Sequence, residues 1–504
     1  MTLGLRLAVA FCSGALTVAG FAPFFLFPLP LLTFALLVGL WSSASARQAA
    51  ALGFAFGLGL FLTGVSWIYV SLHDHGGMPL PLAALAVLLF CCVLALFPAA
   101  SGATFGWLRS GLPWRDAVLA AAAWTTFEWI RGWILSGFPW LAIGNTQAPP
   151  SPLAGFVPLF GMYGAGFLLL ASAACLALNR STRRHLLAAV GLVALVAIAG
   201  LGLGRVEWTQ PVGAPVSVKL LQPNIPQSLK WQPELLGRWL TDNLNLVEAN
   251  PAQIIVLPET TLPLSLDDLP PAYLDSLEAA AKRAGGDVIF GVFTREQSAR
   301  GSRYFNTALS LGSSGSQQYR KRHLVAFGEY SPPGLSWIYR WLSIPMSDQS
   351  PGPPGQPPLA IAGQQVAINI CYEDAFGEEI IEALPQATLL LNLTNTAWFG
   401  RSLAQPQHLQ MSQMRALETG RPMLRATNTG TTAVISPQGE VTARAADFEP
   451  AVVAATVRGY AGLTPYSRIG NWGAIGLSIL VLCFALARRR GSAQPAARGL
   501  RRLR

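Results

Sequence analysis

Cys371 is the side chain in this sequence best placed for covalent chemistry. It follows Val366, Ala367, Ile368, Asn369 and Ile370, a near-alternating apolar run bounded upstream by Gly363, and it precedes Tyr372, Glu373 and Asp374. That pattern predicts a strand that delivers the thiol to its end, where the scaffold is rigid and the side chain is free. A thiol with an ordinary pKa of about 8.5 needs a base to become a thiolate. It also needs a donor for the charge that develops on the oxygen of an attacked carbonyl. Two other stretches carry suitable groups: IIVLPET ends an apolar run at Glu259, and YRKRHLVAFGEY carries Lys321. Each residue also has a plainer reading. An isolated cysteine is often a small buried apolar residue. Lys321 lies in the charged run Arg320-Lys321-Arg322-His323, of a kind that often faces solvent, and Glu259 could be an acid at a helix start.

The elements that must position these groups sit in a chain of uneven character. Hydrophobic residues make up 52%, charged residues 12%, and the mean hydropathy is +0.41. That balance is wrong for a soluble protein and right for one with several membrane spans. Charges are sparse in residues 1–204, whereas residues 205–470 have ordinary soluble composition. The organisation predicted is a membrane domain (1–204), an inserted domain (205–470), a last span (471–487) and a basic tail (488–504). The net charge of +10 lies largely in short loops beside apolar runs and in the tail. This placement argues for membrane orientation, with a minor attraction to anionic lipid, and not for nucleic acid. Of six cysteines, Cys12, Cys91, Cys92, Cys175 and Cys483 lie in apolar runs. Cys371 alone lies in the inserted domain, so that domain has no disulfide of its own. No CxxC or HExxH metal-ligand spacing occurs.

Apolar runs fall near 5–25, 29–41, 49–72, 80–108, 117–135, 153–178, 186–203 and 472–486. They predict seven spans before the inserted domain and one after it. The first resembles a signal peptide, but more spans follow at once, so it is read as a retained helix. Arg47, Arg109, Arg115, Arg180, Arg183, Arg184 and Arg488 to Arg490 then share one side if both termini are cytoplasmic. Seven spans place residues 205–470 on the other side. Glu128 and Arg131, at i, i+3 in the fifth run, can pair on one helix face. Such a pair invites a functional reading, against that of a staple at a helix end. Gly137-Phe138-Pro139-Trp140 suits a membrane surface. His73-Asp74-His75 could hold a metal, although paired loop histidines are more often solvated.

Within the inserted domain, strands are predicted near 216–221, 253–257, 288–293, 307–311, 366–370, 388–393, 423–427, 431–436 and 452–457, with helices near 233–250, 272–284 and 406–419. Strands alternating with helices indicate a layered α/β sandwich with its chemistry at strand ends. Between Glu329 and Leu359 lies an insertion rich in proline and aromatics, including Trp337 and Trp341, suited to dipping into lipid or covering the site.

Glu at one strand end, Lys between, and Cys at another strand end, in that chain order, resembles the Glu-Lys-Cys triad of the nitrilase superfamily. With seven spans before it and one after, the whole chain resembles the apolipoprotein N-acyltransferase family. The marks are FEWIRGWILSGFPWLAIGN (127–145), QPNIPQSLKW (222–231), LPET (257–260), YRKRHLVAFGEY (319–330), ICYED (370–374), AWFG (397–400), MRALETGRP (414–422) and GLTPYSRIGN (462–471). Leu257, Ala326 and Thr396 depart from the family's usual Trp, Pro and Asp; none is one of the three catalytic candidates, though Thr396 could loosen the turn beside the site.

The resemblance implies about eight membrane helices and an extracytoplasmic nitrilase-like αββα sandwich. It implies Cys371 as nucleophile, Glu259 as general base, Lys321 as oxyanion cation, and Glu329 as a further acid that orients or protonates the amine. It places Trp231, Tyr372, Glu373 and Trp398 near substrate. No cofactor and no metal are implied. The partners implied are a phospholipid acyl donor and a diacylated apolipoprotein acceptor. The location implied is a bacterial inner membrane with the catalytic domain in the periplasm. Two other readings stay open: a membrane-anchored nitrilase-type amidase using the same triad, and a transporter with an external binding domain. The transporter reading predicts charged or broken helices at a midplane site, and the spans offer little beyond Glu128 and Arg131.

Overall fold

In lipid a backbone must satisfy its own hydrogen bonds, so long apolar runs fold as helices. The computed structural model describes residues 1–298, 301–331 and 348–493. Trp337 and Trp341, with nearly all of their insertion, and residues 494–504 lie outside the described residues. The first helices are α1 (Leu3–Thr17), α2 (Leu29–Ser42), α3 (Ala46–Gly64), α4 (Leu80–Leu108), α5 (Pro113–Arg131), α6 (Val157–Leu178) and α7 (Arg183–Leu203). Local signals set their ends. Ser45 and Gln48 cap α3 reciprocally, each side chain accepting from the other's backbone N–H. The Thr182 hydroxyl accepts from His185 N–H at the start of α7. α1 and α3 cross closely through glycine: a Cβ on Gly14 would strike the Phe56 carbonyl, and one on Gly59 that of Phe11.

Among the described residues, six helical stretches are long and apolar enough to cross a membrane: five contain α1, α3, α4, α6 and α7, and the sixth follows the inserted domain. α2, at 14 residues, is short. α5 carries Arg115, Asp116, Glu128 and Arg131. It runs from Pro113 to Arg131, not to residue 135, because Arg131 turns to hold the next loop. Its guanidinium donates to the Phe138 and Trp140 carbonyls at 2.6 and 2.7 Å. Glu128 accepts from Trp124 Nε1 at 3.1 Å and from Ile143 N–H at 2.9 Å. The two side chains lie 3.8 Å apart and are 5% and 3% exposed. This buried pair therefore staples the Phe138–Ile143 loop to the helix.

The third run also ends early. α3 stops at Gly64, and residues Trp67–Ala84 form one compact unit with Glu207–Arg468. That unit contains β1 (Gln210–Gln222), α8 (Leu236–Glu248), β2 (Ile254–Val256), α9 (Pro271–Arg283), β3 (Asp287–Ser298), β4 (Gly301–Gly312), β5 (Gln317–Arg320), β6 (Leu359–Ile361) and β7 (Gln364–Ile370). It continues with β8 (Leu389–Thr394), α10 (Ala404–Thr419), β9 (Met423–Thr427), β10 (Ala433–Ile435), β11 (Val441–Arg444) and β12 (Ala451–Ala461). The other unit is closed by α11 (Trp472–Ala493), the sixth apolar stretch.

The strands form two six-stranded sheets, ordered β12-β1-β2-β3-β4-β5 and β11-β10-β9-β8-β7-β6. β1, β2 and β3 run parallel, as do β7, β8 and β9; the outer pairs are antiparallel. The period of two decides the layers. Val218, Leu220, Ile254 and Val256 meet Ile368, Ile370, Leu391 and Leu393 in the core between the sheets. Leu221, Ile255 and Leu257, one step out of phase, pack outward on Leu277 and Ala281 of α9. Leu390 and Met423 pack outward on Leu409 and Ala416 of α10. The result is an αββα sandwich. β5, β6 and β11 add to the strands expected; they are three or four residues long.

Candidate active site

One parallel strand of each sheet ends at a candidate residue: Glu259 lies just past β2 and Cys371 directly follows β7. β7 ends at Ile370, and Cys371 turns the chain with φ +54°. A non-glycine residue in that region costs about 1 kcal/mol or more, so the surroundings must hold it. Two side chains grip its carbonyl: Asn392 Nδ2 at 3.0 Å and His408 Nε2 at 3.1 Å. His408 Nε2 also lies 2.7 Å from Asp374 Oδ1. Both neighbours of that nitrogen are acceptors, so it carries the ring proton. Arg425 donates to Asp374 Oδ2, Asn392 Oδ1 and Ser412 Oγ at 2.9–3.0 Å. Burial alone would raise the Asp374 carboxyl, but His408, Arg425 and Ser412 hold it below its ordinary value.

Lys321 follows β5 directly and is 1% exposed. Its backbone N–H donates to the Asn306 carbonyl at 2.8 Å, continuing the pairing with β4. Its Nζ lies 2.7 Å from Glu329 Oε1 and 3.2 Å from Glu259 Oε1. Glu259 lies just past β2, where Gly291 of β3 makes room: a Cβ there would sit 2.7 Å from Glu259 Cα. Asn306 Nδ2 donates to both acids, at 2.9 Å to Glu259 and 3.3 Å to Glu329. The remaining Glu259 oxygen accepts the Asn395 backbone N–H at 2.8 Å. Val325 N–H donates to Glu329 Oε2 at 2.8 Å.

Burial pulls the Lys321 ammonium down, but Glu259, Glu329 and Cys371 outweigh it and hold its pKa well above the ordinary lysine range. Burial pushes the Cys371 thiol up to about 12; Glu259 adds to this and Lys321 opposes it. The resting cluster therefore holds a neutral thiol beside a charged ammonium. Glu259, Lys321, Glu329 and Cys371 are brought together, although five strands, β3 to β7, lie between Glu259 and Cys371 in the sequence.

Similarity to known proteins follows the same two-part organisation. A family model described as the apolipoprotein N-acyltransferase N-terminal domain matches residues 13–175, and one described as carbon-nitrogen hydrolase matches residues 218–466. An apolipoprotein N-acyltransferase of Nitrosomonas europaea is 51% identical over 484 residues, covering 94% of this chain and 96% of its own. The chain belongs to the apolipoprotein N-acyltransferase family. A second relative with the same description, from Chromobacterium violaceum, is 44% identical over 503 residues, covering 97% and 96%.

The other residues singled out in this N-acyltransferase-family sequence are placed less uniformly. Glu373 is a clamp. Its carboxyl accepts the backbone N–H groups of Ile370 and Arg322 at 2.6 Å, of His323 at 3.0 Å, and the Tyr319 hydroxyl at 3.1 Å. It thus ties the Lys321 segment to the end of β7. Tyr372 stands edge-on to Phe376 and to His323, which stacks on Phe376 at 3.6 Å. Trp231 packs near Phe293 of β3, with ring centroids 6.3 Å apart. Trp398 meets the edge of His75 at 5.8 Å, and Trp67 packs on Phe399 at 4.6 Å. The His73-Asp74-His75 turn, read as a solvated loop, therefore packs on the Thr396–Phe399 turn. His73 Nδ1 lies 2.7 Å from the Met78 carbonyl. That turn remains held at Thr396, whose carbonyl accepts from Gln405 Nε2 at 3.4 Å.

Sequence reasoning missed Asn306, Lys230, and the Asp374–His408–Arg425 group. Lys230 is buried, with Nζ 3.5 Å from the Glu259 carbonyl, and burial lowers its pKa to about 8. Signals existed. Asn306 is polar within the apolar strand YFNTALSL, and His408 and Ser412 recur at i, i+4 on α10.

Proposed function

We propose that this chain transfers a fatty acyl group from a phospholipid to the α-amine of an N-terminal diacylglyceryl-cysteine through a thioester on Cys371. The observation that carries the reading is Lys321 bridging Glu259 and Glu329 at 3.2 and 2.7 Å, in electrostatic contact with the Cys371 thiol. Membership of the family supports the substrate class. The neutral thiol requires its proton to leave as sulfur attacks, so Glu259 acts as general base in the same step. Sulfur adds to the ester carbonyl, and the oxygen takes negative charge beside Lys321. The carbon–oxygen bond to glycerol then breaks, the glycerol oxygen takes the proton from Glu259, and lysophospholipid leaves. In the second half the acceptor amine adds to the thioester, Glu259 takes its proton, and the carbon–sulfur bond breaks to return the thiol. Glu329 orients Lys321 and the incoming amine, and Trp231 and Trp398 contact the lipid substrate; Trp337 and Trp341 of the insertion are assigned to substrate binding from the sequence alone.

The charge bias of the loops supports eight spans, both termini in the cytoplasm and residues 205–470 in the periplasm of an inner membrane. Incubation with phosphatidylethanolamine alone is expected to add one acyl mass to the intact protein. Addition of a diacylated lipopeptide is expected to remove it and yield triacylated peptide. An enzyme that hydrolyses small amides and never carries a lipid-derived acyl group would instead be an amidase.

Glu373 supplies a pH signature. Burial pushes its carboxyl from the ordinary 4.5 up to about 7, against the pull of its backbone N–H donors. Between those values the folded chain keeps a proton that the unfolded chain releases. The linked stability is full below about 4.5 and is lost as pH rises through about 7. Glu373→Gln is expected to flatten thermal stability across that window: below about pH 4.5 it lowers stability by about 1–3 kcal/mol because acceptors are lost, and this deficit shrinks as pH rises through about 7. An unchanged slope would remove the assignment.

A further inference from the structure

A second concave site lies wholly within the helical unit, at the end that gathers arginines. α4, the start of α5 and the last turns of α11 enclose a groove of about 960 Å³. Its walls are apolar: Val118 on one side, and Leu480, Val481 and Phe484 on the other. Arg109, Arg115, Arg488 and Arg489 line the same groove. The single acid among its lining residues, Asp116, is already engaged by Ser110 N–H, Ser110 Oγ and Gly111 N–H at 2.7, 3.0 and 2.9 Å. Two of the arginines are set in place by the helices. Arg109 donates to the Trp41 carbonyl at 3.1 Å at the end of α2, and Arg489 stands 5.0 Å over the Trp107 ring.

We propose that this groove binds one anionic phospholipid, its phosphate held by the arginines and an acyl chain laid along Leu480, Val481 and Phe484. Charge complementarity selects the occupant. Guanidinium matches phosphate geometry, and basic pockets between membrane helices suit anionic head groups. A zwitterionic lipid would bring its own cation against four guanidiniums with no free carboxylate to receive it. The apolar wall demands a chain, which a free phosphate lacks. None of these residues belongs to the Glu259–Lys321–Cys371 cluster, so the site does not depend on the reaction proposed there.

The test uses the full-length Cys371→Ala protein in detergent, so that no lipid is consumed, with bound lipid read by native mass spectrometry. Phosphatidylglycerol is expected to bind as one tight copy and phosphatidylcholine to bind much more weakly. The triple change Arg115→Gln, Arg488→Gln, Arg489→Gln is expected to weaken the phosphatidylglycerol copy about a hundredfold. Val481→Trp, which fills the groove and keeps every charge, is expected to weaken it as well. Equal binding of the two lipids, or retention of the tight copy by both variants, would overturn the proposal. So would displacement of the lipid by glycerol phosphate at comparable concentration, which would reduce the site to a head-group pocket.

Discussion

Replacing Cys371 by alanine is expected to abolish both the acyl-enzyme and N-acylation, by about 10⁴-fold or more. The size follows from the site's construction. Glu259, Lys321 and Glu329 act electrostatically on one sulfur, and on the proposed mechanism the first half-reaction has no other atom to bear the acyl group. Lys321 and the bound lipid would then only assist water. The fold is expected to survive, because alanine removes one sulfur and keeps the Asn392 and His408 bonds to the Cys371 carbonyl. Cys371→Gly is expected to be equally inactive, but it relieves the +54° backbone and should match or exceed the native melting temperature. Intact mass after incubation with phosphatidylethanolamine, beside a thermal melt, measures both. An acyl adduct on Cys371→Ala would place the nucleophile elsewhere.

Lys321→Met is expected to damage activity and stability together. Lys321 is 1% exposed and is the cation between Glu259 and Glu329. Removing one partner of a buried charged cluster leaves the rest uncompensated, at a cost of about 3–5 kcal/mol. On the proposed mechanism Lys321 is the oxyanion donor, and its loss should lower turnover by a further factor of about 10²–10³. Lys321→Arg separates the two effects: a guanidinium keeps charge near the carboxylates but cannot reproduce a compact ammonium at 2.7 and 3.2 Å. It is expected to recover much of the melting temperature and little of the rate. A Lys321→Met enzyme that forms the thioester at the native rate would show that another group stabilises the oxyanion.

Much of the β unit was legible because its signals are local. Val366–Ile370 and 388–393 alternate or run apolar and end at turn residues, so strand identity needed only a few neighbours. The short strand β5, which carries Lys321 to its place, is four residues long and left no periodic trace. The end of the third apolar run was misjudged for a related reason: Trp67, Ile68, Tyr69 and Val70 are apolar enough for a span, yet Trp67 packs on Phe399, which comes more than three hundred residues later. Glu373 shows the limit at the site itself. The family resemblance places it near substrate, and the structure adds that its oxygens accept the backbone N–H groups of Ile370 and, some fifty residues upstream, of Arg322 and His323.

By itself the sequence determined the two kinds of unit, most strands and helices, and the order of the Glu, Lys and Cys candidates. Apolar periodicity and short motifs act within a few residues, so they survive being read without a fold. Only the tertiary structure decided which groups share charge. Lys321 reaches Glu259 across 62 residues and Asn395 reaches it across 136. Those meetings depend on the register of two sheets and on which strand lies beside which. No local pattern encodes that, because it emerges from burying both inner faces at once.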